Sequence, residues 1–409
     1  MSGENVWERR RLKWGCSLAA GSTPPTSDAS FWAAPDADDV VPFVSISDMS
    51  RRVTVTTTQR AISTRVVRER RMPVGHPGTL LLAMYASVGE VAFLDSDATW
   101  SQAILGLTPD PAHFERRFLR YALEAMRPDL LMDVRTNTQA NLNARQVGDL
   151  WIPAPPSALQ AVVADYLDRE TAQIDNLIAE QERLIELLRE RRQAVIDSVF
   201  DSVEAPRGQL RRAITFLTSG SRGWGDYYAD AGARFLRIGN LPRRSLALRG
   251  QVQRISLPEG VTEGERTKLQ LHDLLFSITA YLGSVAVVDA AWAGGYVSQH
   301  VALCRMDSAR LEPHFVGWSM LATNGQHQLN AGAAGGTKVQ LALDDIRGLE
   351  VAYPSLEEQR RIVELLDDQT AKIDQLIAEA ELLIGLARER RSALITAAVT
   401  GQIEIPEAS

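Results

Sequence analysis

Arginine is the residue whose grouping in this sequence points most directly to chemistry, because it stands in two clusters. The first cluster has one acid, Glu69, among its members, and the second has none. The first consists of Arg51, Arg52, Arg60, Arg65, Arg68, Arg70 and Arg71, and the second of Arg237, Arg243, Arg244, Arg249 and Arg254. A guanidinium group pairs with phosphate oxygens or with the major-groove edge of guanine. A single arginine cluster is usually a solvated face, but two at equivalent places favour contact with nucleic acid.

Further side chains able to reach bases follow each arginine cluster along the chain. Each half of the sequence has a Ser-Gln pair and then a polar or glycine-rich loop, residues 135–143 in the first half and 332–340 in the second. Such loops can contact both phosphates and base edges, and they can equally be ordinary surface loops. The candidates for DNA contact outside the two clusters are Gln102, Asn137, Gln139, Asn141, Arg222, Tyr281, Gln299, His300, Lys338 and Gln340.

No catalytic signature accompanies these residues in the sequence. There is no Asn-Pro-Pro-aromatic or Asp-Pro-Pro-Tyr string, and no glycine-rich strand-to-helix motif followed by the expected acid. The loop from Gly332 to Lys338 is only superficially similar to a phosphate loop, because it lacks Gly-Lys-Ser/Thr before a helix. The histidines show no metal-ligand spacing. We therefore predict a non-catalytic chain without a metal site.

The elements that must position the candidates also occur twice. Each arginine cluster follows a short alternating strand, and each is followed by an apolar strand pair with a turn glycine, Gly89 or Gly283. A short helix, the polar loop and a last strand then lead to Pro155 or Pro354, after which a long helix can begin. The paired segments are residues 43–49 and 235–241 for the strand, and 78–94 and 273–288 for the strand pair.

The clearest repeat is helical, since residues 355–403 have a near-copy 199 positions earlier. Of the 24 positions from Thr171 to Ala194, 17 are identical to their counterparts, which marks an internal repeat. Both copies show a heptad seam. A helix of roughly 40 to 45 residues is on the order of 65 Å long, too long for the interior of a compact domain. A long amphipathic helix alone could be a dimerisation rod, but two copies favour an antiparallel pair within the chain.

The seam predicts the residues that pack between the helices. Leu376, Leu383 and Leu386 widen the apolar stripe of the second copy, which indicates more than one partner surface. The predicted packing residues are Leu167, Ile174, Ile178, Ile185, Leu188 and Val195 in the first copy, and Leu366, Ile373, Ile377, Ile384 and Leu394 in the second.

Composition and charge bound the function further. With 409 residues, the chain is long enough for two or three domains, and Cys16 and Cys304 are too few for a disulfide framework. The sequence shows neither a membrane span nor a signal peptide, so we expect a cytoplasmic protein. The net charge of −7 divides into 0, −5, +3 and −5 for residues 1–156, 157–203, 204–354 and 355–409. Because the negative excess lies on the helices, they suit protein partners, and the other segments are free to face DNA.

Taken together, these motifs resemble the specificity subunit of a type I restriction-modification system, over essentially the whole chain. The residues that show the resemblance are Pro354, residues 357–360, 366–374, 388–395 and 398–403, and the first copy of the helical repeat over 160–199. Residues 235–241 and the Ser298-Gln299 pair are also similar to that family. The central copy departs from the pattern at residues 199–201, which lack the Thr400-Gly401 ending.

The resemblance implies an α+β fold with two mixed α/β target recognition domains in pseudo-twofold arrangement, joined by two long antiparallel coiled-coil helices. Each domain would read one half of a split DNA target, while the helices fix the gap and dock two methyltransferase (modification) subunits. S-adenosylmethionine would be bound by those subunits, and ATP and Mg by restriction subunits if present. The implied divisions are a recognition domain over 1–155, a central helix over 156–203, a second recognition domain over 204–354, a distal helix over 355–403 and a tail over 404–409.

Three alternatives remain open at this point. A coiled-coil adaptor without DNA specificity would account for the helices but not for the duplicated basic segments. An enzyme acting alone would need a catalytic constellation that the sequence does not show. Within the favoured class, a methylation-only defence system would use the same kind of chain, because any nuclease and motor would lie on other chains.

Overall fold

The computed structural model describes residues 7–50, 52–136, 141–260, 264–279, 282–331 and 340–405. Within it the chain forms two compact units. Unit 1 is Met1–Gln181 with Leu382–Ser409, and unit 2 is Glu182–Glu381. The predicted DNA-contacting residues outside the described part of the chain are Arg51, Asn137, Gln139, Tyr281 and Lys338.

Unit 1 contains short strands and helices that precede a long helix. Its strands are β1 Arg9–Arg11, β2 Cys16–Ala20, β3 Trp32–Ala33, β4 Val40–Val44, β5 Thr54–Val55, β6 Arg60–Ser63, β7 Leu80–Ala83, β8 Val91–Leu94, β9 Thr99–Trp100, β10 Ile104–Pro109 and β11 Trp151–Pro153. Its helices are α1 Ile46–Met49, α2 Thr64–Glu69, α3 Arg116–Ala125, α4 Arg127–Thr136 and α5 Ala144–Gly148, followed by α6 Ser157–Asp201, which continues into unit 2.

Unit 2 follows the same order of elements, except that its described residues form no α-helix at the places of α1 and α2 and no strand at the place of β5. Its strands are β12 Arg207–Gln209, β13 Ile214–Ser219, β14 Tyr228–Ala229, β15 Ala233–Leu236, β16 Gln253–Ile255, β17 Leu274–Ser277, β18 Val285–Val287, β19 Tyr296–Val297, β20 Val301–Met306 and β21 Glu350–Ala352. Its helices are α7 Pro313–Leu321, α8 Thr323–Ala331 and α9 Leu343–Gly348, followed by α10 Leu356–Thr400, which continues into unit 1.

In the described residues each unit has three sheets, and their topology matches except that β5 extends the largest sheet of unit 1 and has no counterpart in unit 2. In unit 1 the strand orders are β2-β10-β7-β8-β5, β3-β6-β4-β9 and β1-β11, and in unit 2 they are β13-β20-β17-β18, β14-β16-β15-β19 and β12-β21. The predicted strand pairs are β7 with β8 and β17 with β18, both antiparallel. Their turn glycines adopt the left-handed backbone that favours glycine, with φ of 79° at Gly89 and 90° at Gly283. This arrangement confirms two mixed α/β units.

The two long helices pack together in each unit. In unit 1 the buried Leu167 of α6 shares a core with Ile395 and Ala398 of α10. In unit 2 Ile196 and Phe200 of α6 share a core with Ile362 and Leu366 of α10. Each helix therefore has one face in the core of the unit, as its apolar periodicity predicts.

Helices α4, α5, α8 and α9 were not predicted from the sequence. Residues 135–143 were expected to form a loop, whereas α4 extends to Thr136. Leu130 of α4 and Leu329 of α8 are buried in the cores of their units, and these contacts stabilise the two helices. Within the described ranges, no helix is long and apolar enough to cross a membrane.

Candidate nucleic-acid interface

The structure of unit 2 brings together four segments that are far apart in sequence. Thr279 follows β17, and its hydroxyl lies 2.8 Å from Nδ1 of His300. Nε2 of His300 lies 3.0 Å from Nε2 of Gln299. Thr279 also forms a backbone bridge with Gln340, while Ser221, next to Arg222, bridges to the Ser-Gln pair through Ser298. We call this group of segments the polar edge of unit 2; it collects the predicted residues Arg222, Gln299, His300 and Gln340.

Unit 1 builds the same edge with the same backbone contacts. The amide of Leu142 donates to the carbonyl of Met84 at 3.0 Å, as the amide of Leu341 donates to that of Ile278 at 3.0 Å in unit 2. These bonds place Asn141, which precedes Leu142, where Gln340 lies in unit 2. The predicted residue Gln102 has an exposed side chain, and its backbone amide donates to Oγ1 of Thr23 at 3.1 Å. The polar edge of unit 1 therefore comprises the segments of Thr23, Met84, Gln102 and Asn141.

In each polar edge, a glycine turn packs directly against the backbone beside the Ser-Gln pair. A Cβ added at Gly21 would lie 2.1 Å from the carbonyl oxygen of Ser101, and one at Gly220 would lie 2.1 Å from that of Val297. Real side chains do not tolerate such distances, so both turns require glycine. The turn at Gly21 or Gly220 thus has a specific steric role beside the Ser-Gln pair of its unit.

In unit 1 the arginine cluster borders the sheet β3-β6-β4-β9. The guanidinium of Arg60 lies 5.2 Å from the ring centroid of Trp32, and that of Arg70 lies 4.6 Å from that of Phe31. Such cation–π contacts orient a guanidinium and leave its N–H groups available. Other members pair within the chain or are exposed: Arg65 binds Glu69 at 2.7 Å, Arg52 donates to Thr57 at 3.2 Å, and Arg68 and Arg71 are exposed.

In unit 2 the arginine cluster is divided between exposed and half-buried side chains. Arg254 is half-buried and donates to the carbonyl of Gly232 at 2.8 Å, so part of its hydrogen-bonding capacity is used within the chain. Arg237 is also half-buried. The exposed members are Arg243, Arg244 and Arg249, together with the separate candidate Arg222.

We call the stretch that carries each arginine cluster, after β4 in unit 1 and after β15 in unit 2, a basic loop. Sequence reasoning missed the residue that organises each basic loop. Asn240 is 3% exposed; its Oδ1 accepts from the amide of Arg237 at 2.9 Å, and its Nδ2 donates to the carbonyls of Arg249 at 2.8 Å and Gln251 at 3.1 Å. Asp48 is its counterpart, because both stand five residues after the strand phenylalanine. The missed signal is a polar residue at the same position in both strand-end segments.

Asp48 performs the same task by accepting hydrogen bonds alone. Its two carboxylate oxygens accept from the amide of Ser45 at 2.9 Å and from the amide of Gln59 at 3.1 Å, and it is 5% exposed. Since Gln59 adjoins Arg60, the carboxylate closes the loop that carries the arginines. Both residues accept a bond from the backbone amide three positions earlier, but the bonds that close the loop run in opposite directions, since Asn240 donates to the loop and Asp48 accepts from it.

A second pair of missed residues attaches each domain to the long helix that follows it. Gln160 is 1% exposed and Gln359 is fully buried. Oε1 of Gln160 accepts from the amide of Glu115 at 2.8 Å, and Oε1 of Gln359 accepts from that of Glu312 at 2.8 Å. Nε2 of each glutamine donates to two backbone carbonyls at once, one in the domain and one just before the helix. Because every polar atom of these amides is satisfied, they fix helix and domain without cost from unpaired groups.

About two turns farther along each helix, an aspartate repeats this attachment. The hydroxyl of Tyr121 donates to Asp168 at 2.7 Å, and Nε1 of Trp318 donates to Asp367 at 2.9 Å. Burial raises the pKa of Tyr121 to about 12, so the phenol remains a donor. The two aspartates are counterparts in the helical repeat, although their aromatic partners differ.

Equivalent ion pairs join the two long helices within each unit. In unit 2 Nε of Arg192 binds Asp374 at 2.8 Å, and the side chain of Arg192 is 6% exposed. In unit 1 Nε of Arg391 binds Asp175 at 2.9 Å, and Arg391 also contacts Glu124. Arg192 and Arg391, like Asp175 and Asp374, are 199 residues apart. The two ion pairs are therefore equivalent to each other under the helical repeat.

The predicted seam is buried over most of its length. The buried members are Leu167, Ile174, Ile185, Leu188, Leu366, Ile373 and Ile384, and the half-buried ones are Ile178, Val195, Ile377 and Leu394. Ile196 and Phe200, outside the predicted seam, are buried more deeply than Val195 because α6 there also contacts α7, with the ring of Phe200 5.4 Å from that of Phe315. Within the described residues, no group of three or more His, Cys, Asp or Glu could hold a metal ion.

Comparison with known proteins gives one consistent result. A family model described as "Type I restriction modification DNA specificity domain" matches residues 5–187 and 232–382, more than half of the chain. The specificity subunit of the type I restriction enzyme EcoBI of Escherichia coli is 22% identical over 359 residues, covering 80% of this chain and 74% of that protein. The specificity subunit of the type I restriction enzyme MjaIX of Methanocaldococcus jannaschii is 24% identical over 186 residues, covering 44% of this chain and 41% of that protein.

Solved structures share the fold over nearly the whole chain. A chain from a study of complex assembly and conformational transition of the type I R-M system superposes with a TM-score of 0.73 at 17% identity, covering 98% of this chain and 99% of that one. The HsdS subunit of Thermoanaerobacter tengcongensis gives a TM-score of 0.52 at 17% identity, covering 98% of each chain.

Proposed function

Because the chain belongs to the family of type I restriction-modification DNA specificity subunits, we propose that it reads a bipartite DNA target, one half-site per recognition domain. Specificity subunits of this family are non-catalytic. We propose residues 1–155 and 204–354 as the recognition domains, with residues 156–203 and 355–403 as the helical segments and 404–409 as a tail.

The proposal of two half-sites rests on one observation: both units assemble the same polar edge from equivalent segments. A chain that reads one continuous site needs a single such edge, whereas two half-sites need two. The edges differ in side chains, with Asn141 in unit 1 where unit 2 has Gln340, and Ala103 where unit 2 has His300. Equivalent backbones with different side chains are what two different half-site sequences require.

The arginine clusters supply the sequence-independent part of binding. Exposed arginines such as Arg68 and Arg244 bind phosphates and release counterions, so affinity falls steeply with salt. Phosphate contacts set the register of each domain on the duplex, and the edge residues then discriminate bases. Asp48 and Asn240 hold the basic loops in place for the first of these tasks.

The helices are proposed to dock two modification subunits. In unit 2, Leu184 and Leu187 of α6 are 41% and 54% exposed, and in unit 1 their counterparts Leu383 and Leu386 of α10 are 39% and 53% exposed. Exposed leucines on negatively charged helices favour a protein partner over DNA. Two equivalent surfaces fit two copies of one partner. S-adenosylmethionine belongs to that partner, and ATP and Mg to restriction subunits where the system has them.

The test is to co-express the chain with the methyltransferase subunit encoded beside it and to map methylated bases across the genome. We expect a split motif with a fixed gap. Gln299→Ala with Gln340→Ala should relax discrimination in one half, and the matched pair Gln102→Ala with Asn141→Ala should relax it in the other. Each lost base contact is worth roughly 1–3 kcal/mol. A seven-residue insertion in one long helix should alter the gap and leave both halves unchanged.

Three results would contradict the proposal. These are methylation of a continuous motif, relaxation of both halves by either pair of substitutions, and methylation by the purified chain alone. Retention of subunit assembly without salt-dependent DNA binding would favour an adaptor instead.

A further inference from the structure

Unit 1 carries two exposed tryptophans that are not part of its polar edge. Trp14 and Trp151 are 58% and 44% exposed, and they are the two of the eight tryptophans that are exposed rather than buried or half-buried. Their ring centroids are 6.1 Å apart and the rings are perpendicular. Tryptophan is a residue that folding usually buries to a large extent, so this pair is a candidate for contact with another molecule.

The pair is held in a fixed arrangement by Arg11. The guanidinium of Arg11 lies 5.7 Å from the ring centroid of Trp14 and 5.3 Å from that of Trp151, and it donates to Asp149 at 3.0 Å. Lys13 donates to the same carboxylate at 2.6 Å. Arg11 and Trp151 face each other in the β1–β11 register. We call Arg11, Trp14 and Trp151 the tryptophan platform; its order before binding reduces the entropy that a partner must overcome.

The tryptophan platform is not repeated, although the backbone beneath it is. In unit 2 β12 pairs with β21 as β1 pairs with β11, and Gln209 faces Glu350 where Arg11 faces Trp151. The short helix Leu210–Arg212 corresponds to Leu12–Trp14, so Arg212 stands in the place of Trp14. Among the residues that the structure describes, this surface therefore occurs once, in contrast to the two polar edges and two exposed leucine pairs.

The side chains favour a protein over a nucleic acid as the occupant. Tryptophan and arginine are enriched among the residues that dominate protein–protein binding energy. Duplex DNA keeps its base faces stacked, so it offers an indole no ring to pack on, whereas a single strand does. Four of the five positions from Arg9 to Lys13 are basic, and Asp149, the shared partner of Arg11 and Lys13, offsets only one of these charges. The remaining positive charge selects a partner segment with carboxylates beside an apolar side chain.

We infer that the tryptophan platform binds an acidic, apolar segment of one modification subunit, so that the two subunits bind the chain with unequal affinity. This inference rests on the proposed function, which supplies the partner. The repeated leucine surfaces give both subunits a common contact, and the platform adds a second contact for one of them only.

The experiment titrates the full chain with the purified modification subunit by calorimetry and native mass spectrometry. The wild-type chain should show two binding steps. Trp14→Ala with Trp151→Ala should weaken one step by at least about tenfold, as expected for the loss of a binding hot spot, and leave the other unchanged. Arg212→Ala with Glu350→Ala, at the equivalent place in unit 2, is the matched control and should alter neither step.

A second measurement does not depend on the folding of the variants. The chain alone is labelled with 5-fluorotryptophan, and the resonances of Trp14 and Trp151 should shift fully with the first equivalent of subunit. Equal weakening of both steps, no weakening, or unshifted resonances would overturn the inference and leave the proposed function intact. Loss of single-stranded or duplex DNA binding with both steps unchanged would make the platform a nucleic-acid site and also overturn it. A wild-type chain that binds no subunit would remove the proposed function and the inference together.

Discussion

Replacing Asn240 tests how unit 2 holds its basic loop. The side chain makes three hydrogen bonds, to the amide of Arg237 and to the carbonyls of Arg249 and Gln251. A net contribution of about 1 kcal/mol for each predicts a loss of about 2–3 kcal/mol for Asn240→Ala, since part of the exposed loop regains water. For a unit of this size we expect the melting temperature to fall by roughly 4–12 °C.

Asn240→Asp should be more harmful than Asn240→Ala, because it places a carboxylate oxygen against two carbonyl oxygens at a position that is 3% exposed. The exchange in unit 1, Asp48→Asn, should also destabilise, since an NH₂ group would then face an amide N–H that now donates to the carboxylate. Exchange of Asn for Asp in unit 2 and of Asp for Asn in unit 1 should therefore both destabilise the protein, although each exchange keeps the shape of the side chain.

The assay combines urea unfolding with amide hydrogen exchange and DNA binding. The amide of Arg249 donates to the carbonyl of Asn240 at 3.0 Å, so its exchange should accelerate in both Asn240 variants. DNA affinity should fall for the half-site read by unit 2 and not for the other. If Asn240→Asp were as stable as the wild-type chain, with unchanged exchange at Arg249, the assigned hydrogen bonds would be wrong.

Three further predictions concern unit 2. Arg192→Ala should destabilise it by about 1–3 kcal/mol, because Arg192 is largely buried and its partner Asp374 is partly exposed; a double-mutant cycle with Asp374→Ala that gives no coupling would contradict this. The hydrogen bond between His314 and Glu312 raises the pKa of His314 above 6.5. Burial opposes the ionisation of Glu312, but the hydrogen bonds that Glu312 accepts outweigh burial and lower the pKa of Glu312 below 4.5. The contribution of His314 is present below pH 6.5 and lost as pH rises through its raised pKa, and that of Glu312 is present above pH 4.5 and lost as pH falls; urea unfolding should show this window, and His314→Gln should remove the loss at its upper end. Burial raises the pKa of Cys304 to about 12, so a thiol reagent at pH 8 should label it only on unfolding, and rapid labelling of the native chain would refute its burial.

The sequence by itself determined the repeated elements of this protein. The heptad seam from Leu167 to Leu188 and its copy are local patterns in which apolar spacing alone specifies the buried helix face. The apolar strand pairs around Gly89 and Gly283 are local in the same sense. The repeated strand pairs and the two long helices followed from these signals, because each depends on neighbours a few residues away. The mixed α/β type of the two units was implied by the family resemblance.

Only the tertiary structure decided which polar residues act together. Gln299 and Gln340 are brought to one edge by the pairing of strands remote in sequence, and no local pattern encodes that contact. The loop-holding role of Asn240 depends on carbonyls supplied by a returning loop. Phe200 is buried more deeply than the heptad predicts because α6 there meets α7 as well as α10. Burial and hydrogen-bond partners are properties of the assembled chain, so residues of one type, such as the exposed Trp151 and the buried Trp318, differ in role according to what packs around them.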